Sequence, residues 1–123
     1  MPVVLIVDDN DRNRKLARDV LRADGLRTLE AETGAEGIGL AIEHVPDVIL
    51  MDLQLPDMHG TEAARTLADT DRTARIPVVA MSAMSLEGAG EWLEIAGFAG
   101  RIEKPIAVST FAEQVRRFCD AAG

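Results

Sequence analysis

Residues 3–10 read VVLIVDDN, five aliphatic side chains in a row that stop at two adjacent carboxylates. An unbroken apolar run of that length suits a strand covered on both faces, the situation of a central strand in a parallel sheet. The runs DVILMD at 47–52 and IPVVAM at 76–81 follow the same pattern, the second leading into Ser82. The strand at 26–31 alternates, as an edge or half-covered strand does, and FAGRIE at 98–103 supplies a fifth.

Helical periodicities separate these strands. One runs from about 11 to 24 with Leu16, Ala17, Val20 and Leu21 on one face and is closed by Gly25. A second near 34–45 aligns Ile38, Ala41, Ile42 and Val45, is weakened by Gly37 and Gly39, and ends at Pro46. Others fall near 60–69 with Ala64 and Leu67, near 86–96, and at 108–120 on Val108, Phe111, Ala112, Val115 and Phe118. Alternating strands and helices imply right-handed crossovers, so the expected fold is α/β: a doubly wound, five-stranded parallel sheet with helices on both faces.

At 123 residues the chain is expected to form one domain, spanning 1–123 with no output domain attached. No apolar run approaches the ~18 residues of a membrane span, and residues 1–4 lack the basic start of a secretory signal. A single cysteine, Cys119, forms no internal disulfide and reads as a core thiol, so a reducing cytoplasm is the expected compartment. The formal charge of -8 argues against nucleic-acid binding, which needs clustered Lys and Arg. Only four aromatics are present, Trp92, Phe98, Phe111 and Phe118, too few for a base-stacking surface.

In an open parallel sheet, ligands sit beyond the carboxyl ends of the strands. Those ends read Asp8-Asp9-Asn10, Asp52, Ser82 and Glu103-Lys104-Pro105. Singly, each has an ordinary explanation: a helix cap, a turn residue or a solvated lysine. Together, three carboxylates, a hydroxyl and an ammonium at corresponding strand ends specify a site. Carboxylates gathered in this way repel unless a cation joins them. Magnesium, with manganese as a possible substitute, fits a hard-oxygen donor set without histidine or thiol.

The segments VDDN, LMDLQLPDMHG, MSA and EKP, in this order and spacing, resemble the receiver domain of two-component response regulators, in wording closest to the single-domain (DivK-like) type. The resemblance implies a flavodoxin-like strand order of 2-1-3-4-5. It also implies that Asp52 accepts a phosphoryl group from a sensor histidine kinase or histidine phosphotransferase, and that the phosphorylated form binds a protein target. Asp9, Asp52 and the backbone carbonyl of Gln54 would then ligate the metal, with Asp8 acting largely through water. Lys104 and Ser82 would bind phosphoryl oxygens, and Lys104-Pro105 would be a cis peptide. Pro56 and Gly60 match the turn that follows the acceptor, while Gln54 and Met84 would flank a hydrolytic water.

One departure concerns Arg101, where receivers usually carry an aromatic ring that turns inward on activation; a guanidinium does not enter an apolar slot. Signal output is therefore expected through the helix near 86–96, where Leu86, Gly90, Leu93 and Gly97 face inward and Trp92 and Ile95 share a neighbouring face that either flanks the core or docks a partner. Arg12, Arg14, Lys15, Arg18 and Arg22 on the first helix form either a solvated face or a docking surface for an acidic phosphotransferase. Two other functions compete. A magnesium-dependent phosphatase with an aspartyl nucleophile would want a second acid where Gln54 stands. A flavin-binding module would need a phosphate-cradling loop where Asp8 and Asp9 stand.

Overall fold

The computed structural model describes residues 2–82 and 97–122, excepting the side chains of 120–122. Five strands, β1 (Val3–Val7), β2 (Arg27–Ala31), β3 (Val48–Asp52), β4 (Val78–Ser82) and β5 (Gly100–Glu103), pair in parallel in the order β2-β1-β3-β4-β5. Four helices are described: α1 (Asp11–Ala23), α2 (Gly34–His44), α3 (Gly60–Asp69) and α4 (Val108–Ala122). The helix expected near 86–96 lies outside the described residues. Among these residues no helix is long and apolar enough to cross a membrane.

Strand alternation sorts the apolar residues into two layers. Leu5, Val7, Ile49, Met51, Val78 and Ala80 face the layer that includes Ala41 of α2 and Ala63, Ala64 and Leu67 of α3. Val4, Ile6, Val48, Leu50, Val79 and Met81 face the other, against Ala17 and Leu21 of α1 and Phe111 and Val115 of α4. β1, β3 and β4 are therefore covered on both sides, which is why they carry no alternation in sequence. β2, at the edge, is mostly half-buried.

Three helical faces differ from the sequence expectation. In α1, Leu16 is 39% exposed while Arg14 is buried. In α2 the inward stripe is Gly34, Gly37 and Ala41, with Ile42 and Val45 exposed and Ile38 half-buried. The cause is close approach: a Cβ on Gly37 would lie 2.7 Å from Val7 Cγ2, so the helix rests on the sheet through its smallest residues. In α4, Val108 precedes the first inward position, Phe111, and is exposed. Cys119 is half-buried at the margin of the α1/α4 layer.

Helix caps follow directly from the strand ends. The Asn10 side chain accepts from Asn13 N at 3.1 Å, and Thr33 Oγ1 accepts from Glu36 N at 3.1 Å. Each gives an otherwise unpaired donor of the first turn its partner. β1 therefore passes into α1 through a connection of only three residues, Asp8, Asp9 and Asn10.

Candidate metal centre at the strand ends

Asp8, Asp9, Asn10, Asn13, Asp52, Gln54, Pro56, Ser82 and Lys104 line one cleft of about 410 Å³. Carboxylate oxygens of Asp8, Asp9 and Asp52 lie within 4.8 Å of one another. Asp8 and Asp52 are buried and Asp9 is exposed. Lys104 Nζ spans the first two, 2.7 Å from Asp8 Oδ2 and 3.3 Å from Asp52 Oδ2. The Lys104-Pro105 peptide is cis, and Lys104 N donates to the Ser82 carbonyl at 2.9 Å, aligning the ends of β4 and β5.

Each polar atom of Asp8 has a partner. Its amide donates to Ala31 O at 3.0 Å; Oδ1 accepts from Asn10 N at 2.9 Å and Oδ2 from Lys104 Nζ. Its carbonyl accepts from Arg14 Nη1 at 2.8 Å. Asp9, by contrast, has no hydrogen-bond or ion-pair partner for its carboxylate among the described residues. Asp52 Oδ1 accepts from Gln54 N at 3.2 Å.

Burial pushes the Asp52 carboxyl above the usual range, opposed by the Gln54 N–H and Lys104 and reinforced by Asp8. A desolvated carboxylate beside a second one, with a single ammonium between them and an exposed third acid at the rim, suits a divalent cation with oxygen ligands. The donor set therefore fits magnesium, which commonly takes one or two carboxylates and retains several waters.

The segment after β3 is fixed at two points. Gly60 N donates to Leu53 O at 2.8 Å, and a Cβ at Gly60 would lie 2.4 Å from the Asp52 carbonyl, so only glycine lets α3 start this close to the end of β3. Asp57 accepts from Gly34 N at 2.8 Å and Ala35 N at 3.0 Å at the start of α2, and these donors hold its carboxyl below the usual carboxylate range. The sequence reading missed that tether: Asp57 follows Pro56 and reads as a turn residue, and its partners are more than twenty positions away.

Other residues fall elsewhere. Arg14 is not part of an exposed basic face; its guanidinium is buried among Asp11, Glu30 and Glu32. Arg18 is half-buried and pairs with Glu30 at 3.3 Å and Asp19 at 3.3 Å. Arg101 is exposed on β5, beside Gln114, Arg117 and Phe118. Met84, Trp92 and Ile95 lie outside the described residues.

Residues 4–116 match the family described as the response regulator receiver domain. The polar-differentiation response regulator DivK of Brucella anthropi is 42% identical over 94% of this chain and 94% of its own. Its Brucella ovis counterpart is 41% identical over the same shares. Among solved structures, the chemotaxis response regulator CheY4 of Vibrio cholerae superposes with a TM-score of 0.90 at 24% identity, covering 96% of this chain and 98% of that one, a likeness of fold. The receiver domain of a sensor histidine kinase from Pseudomonas aeruginosa PAO1, with a magnesium ion coordinated in its active-site cleft, gives a TM-score of 0.87 at 28% identity, covering 97% and 98%.

Proposed function

The chain belongs to the response regulator receiver domain family, and from that premise we propose that it is a phosphorylation switch whose acceptor is Asp52. The phosphoryl donor is a phosphohistidine on a sensor histidine kinase or histidine phosphotransferase, and the phosphorylated form signals by binding a protein target in the cytoplasm. The observation that carries this reading is the meeting of Asp8, Asp9 and Asp52 within 4.8 Å, with Lys104 Nζ bridging Asp8 and Asp52.

In the proposed transfer an Asp52 carboxylate oxygen attacks phosphorus in line. The P–O bond forms as the P–N bond breaks, and the leaving imidazole nitrogen keeps the electron pair and takes up a proton. Asp52 must be ionised to attack. Burial opposes that, while the Lys104 ammonium and the Gln54 N–H favour it.

Bound magnesium would supply charge neutralisation at the phosphoryl oxygens, and Asp9, Asp52 and the Gln54 carbonyl are the donors proposed to hold it. Both Asp8 oxygens already accept hydrogen bonds, which supports a role for Asp8 through Lys104 and water instead of direct ligation. Lys104 would exchange its Asp52 partner for a phosphoryl oxygen. Ser82, buried at the end of β4, would donate its hydroxyl to another and draw the following segment toward the site. The exposed Arg101 supports an output route that uses no inward-turning ring at that position.

The magnesium seen in the Pseudomonas aeruginosa relative supports the metal assignment. The phosphatase alternative has no comparable support: Gln54 offers an amide where that chemistry wants an acid. The test is incubation with acetyl phosphate and magnesium, read by intact mass. One phosphoryl group should be added to the wild type and none after Asp52→Asn or chelation; equal addition to Asp52→Asn would refute the assignment.

A further inference from the structure

Arg14 is a buried arginine in the first turn of α1, and its guanidinium reaches four residues at once. Nη1 donates to the Asp8 carbonyl at 2.8 Å, at the end of β1. Nη2 pairs with Asp11 in the first turn of α1 and with Glu32 Oε1 at 3.2 Å, just past β2. Nε lies 3.6 Å from Glu30 Oε1 on β2 itself. The rigid fork of an arginine therefore links the one Asp8 atom not tied to the sheet, to α1 or to Lys104 with two carboxylates of the neighbouring strand and its extension.

The peptide that Arg14 grips is the one joining Asp8 to Asp9. With the Asp8 amide and carboxylate held, a rotation about the Asp8 Cα–C bond would turn that peptide and carry Asp9 and its carboxylate with it. The remaining Asp8 contacts fix its amide and side chain but leave its carbonyl free to turn. We infer that Arg14 is a positioning residue for the metal site, holding the Asp8–Asp9 peptide so that Asp9 is presented toward Asp52 while Asp8 stays on Lys104. The inference rests on the metal-binding reading above. It assigns Arg14 an internal role in place of partner docking.

Arg18 provides the control, because it pairs with the same Glu30 at 3.3 Å and, among the described residues, its hydrogen bonds go to Asp19 and Glu30, not to Asp8. Magnesium binding to the whole chain would be measured by titration calorimetry, with the ¹⁵N shift of the Asp9 amide followed in metal-free protein. Arg14→Met should weaken magnesium by about 10- to 100-fold, the usual effect of removing a residue that orients a ligand, and should move the Asp9 amide. Arg14→Lys, which restores one donor, should recover part of the affinity. Arg18→Met should bind magnesium as the wild type does.

Should Arg14→Met not fold, Arg14→Gln carries the same expectation of weakened binding. Wild-type magnesium affinity in a folded Arg14→Met or Arg14→Gln protein would overturn the inference, as would an equal loss in Arg18→Met. A wild-type protein that binds no magnesium would refute the underlying metal site, a separate and distinguishable failure.

Discussion

Asp52 sits where two demands conflict. As the proposed acceptor it would be buried so that only a positioned donor reaches it, yet burial favours its protonated form. Because the folded state raises its pKa above the unfolded value, metal-free wild type bears no penalty below the unfolded value. The penalty sets in as pH rises above the unfolded value and is complete above the folded pKa. Asp52→Asn removes the charge and keeps the shape. In urea denaturation without metal, the variant should match the wild type at acidic pH and exceed it at neutral pH; a variant less stable at neutral pH would contradict this account of the site. At this scale the acidic residues and Lys104 were legible in the sequence, because their types and strand-end positions are unusual together. The contacts behind the role proposed for Arg14 were not, because its partners Glu30 and Glu32 approach only when β2 lies beside β1.

The elements show why periodicity locates a helix more reliably than it identifies its buried face. In α2 the expected stripe of Ile38, Ala41, Ile42 and Val45 is replaced by one of Gly34, Gly37 and Ala41, since close packing on Val7 rewards absence of a side chain. Hydrophobicity carries no record of that preference. Two glycines in the same helix should therefore respond oppositely to alanine. Gly39 has nothing within 4 Å of a built Cβ, so Gly39→Ala should stabilise by about 0.5–1 kcal/mol through helix propensity. Gly37→Ala should destabilise by about 1–3 kcal/mol through overpacking against Val7. A double-mutant cycle with Val7→Ala should return part of that loss, whereas additive effects would show that the contact is not its cause. The central strands were legible, β1 to the residue, β3 with one residue too many and β4 begun two residues early, because all three are buried on both sides and leave unbroken apolar runs.

Across the whole molecule, the parallel order β2-β1-β3-β4-β5 brings residues 8, 9, 52, 82 and 104 to one edge. The proposed metal donors come from the ends of β1 and β3, which are set side by side only in the folded sheet, so the proposed metal binding is linked to global folding. A ligand that binds only the folded state stabilises it by about 2.7 kcal/mol at a hundredfold excess over Kd. Magnesium should therefore raise the melting temperature of the wild type in a concentration-dependent way and leave Asp9→Ala/Asp52→Ala unmoved. An equal rise in both proteins would place the ion elsewhere on this acidic chain, whose formal charge is -8.

The most direct measurement is to trap the acceptor chemically. Protein incubated with acetyl phosphate and magnesium is reduced with borohydride, which converts an aspartyl phosphate to homoserine, then digested and sequenced by mass spectrometry. Homoserine at position 52, and at no other aspartate, is the predicted result; homoserine at Asp8, at Asp9 or at no position would contradict the account.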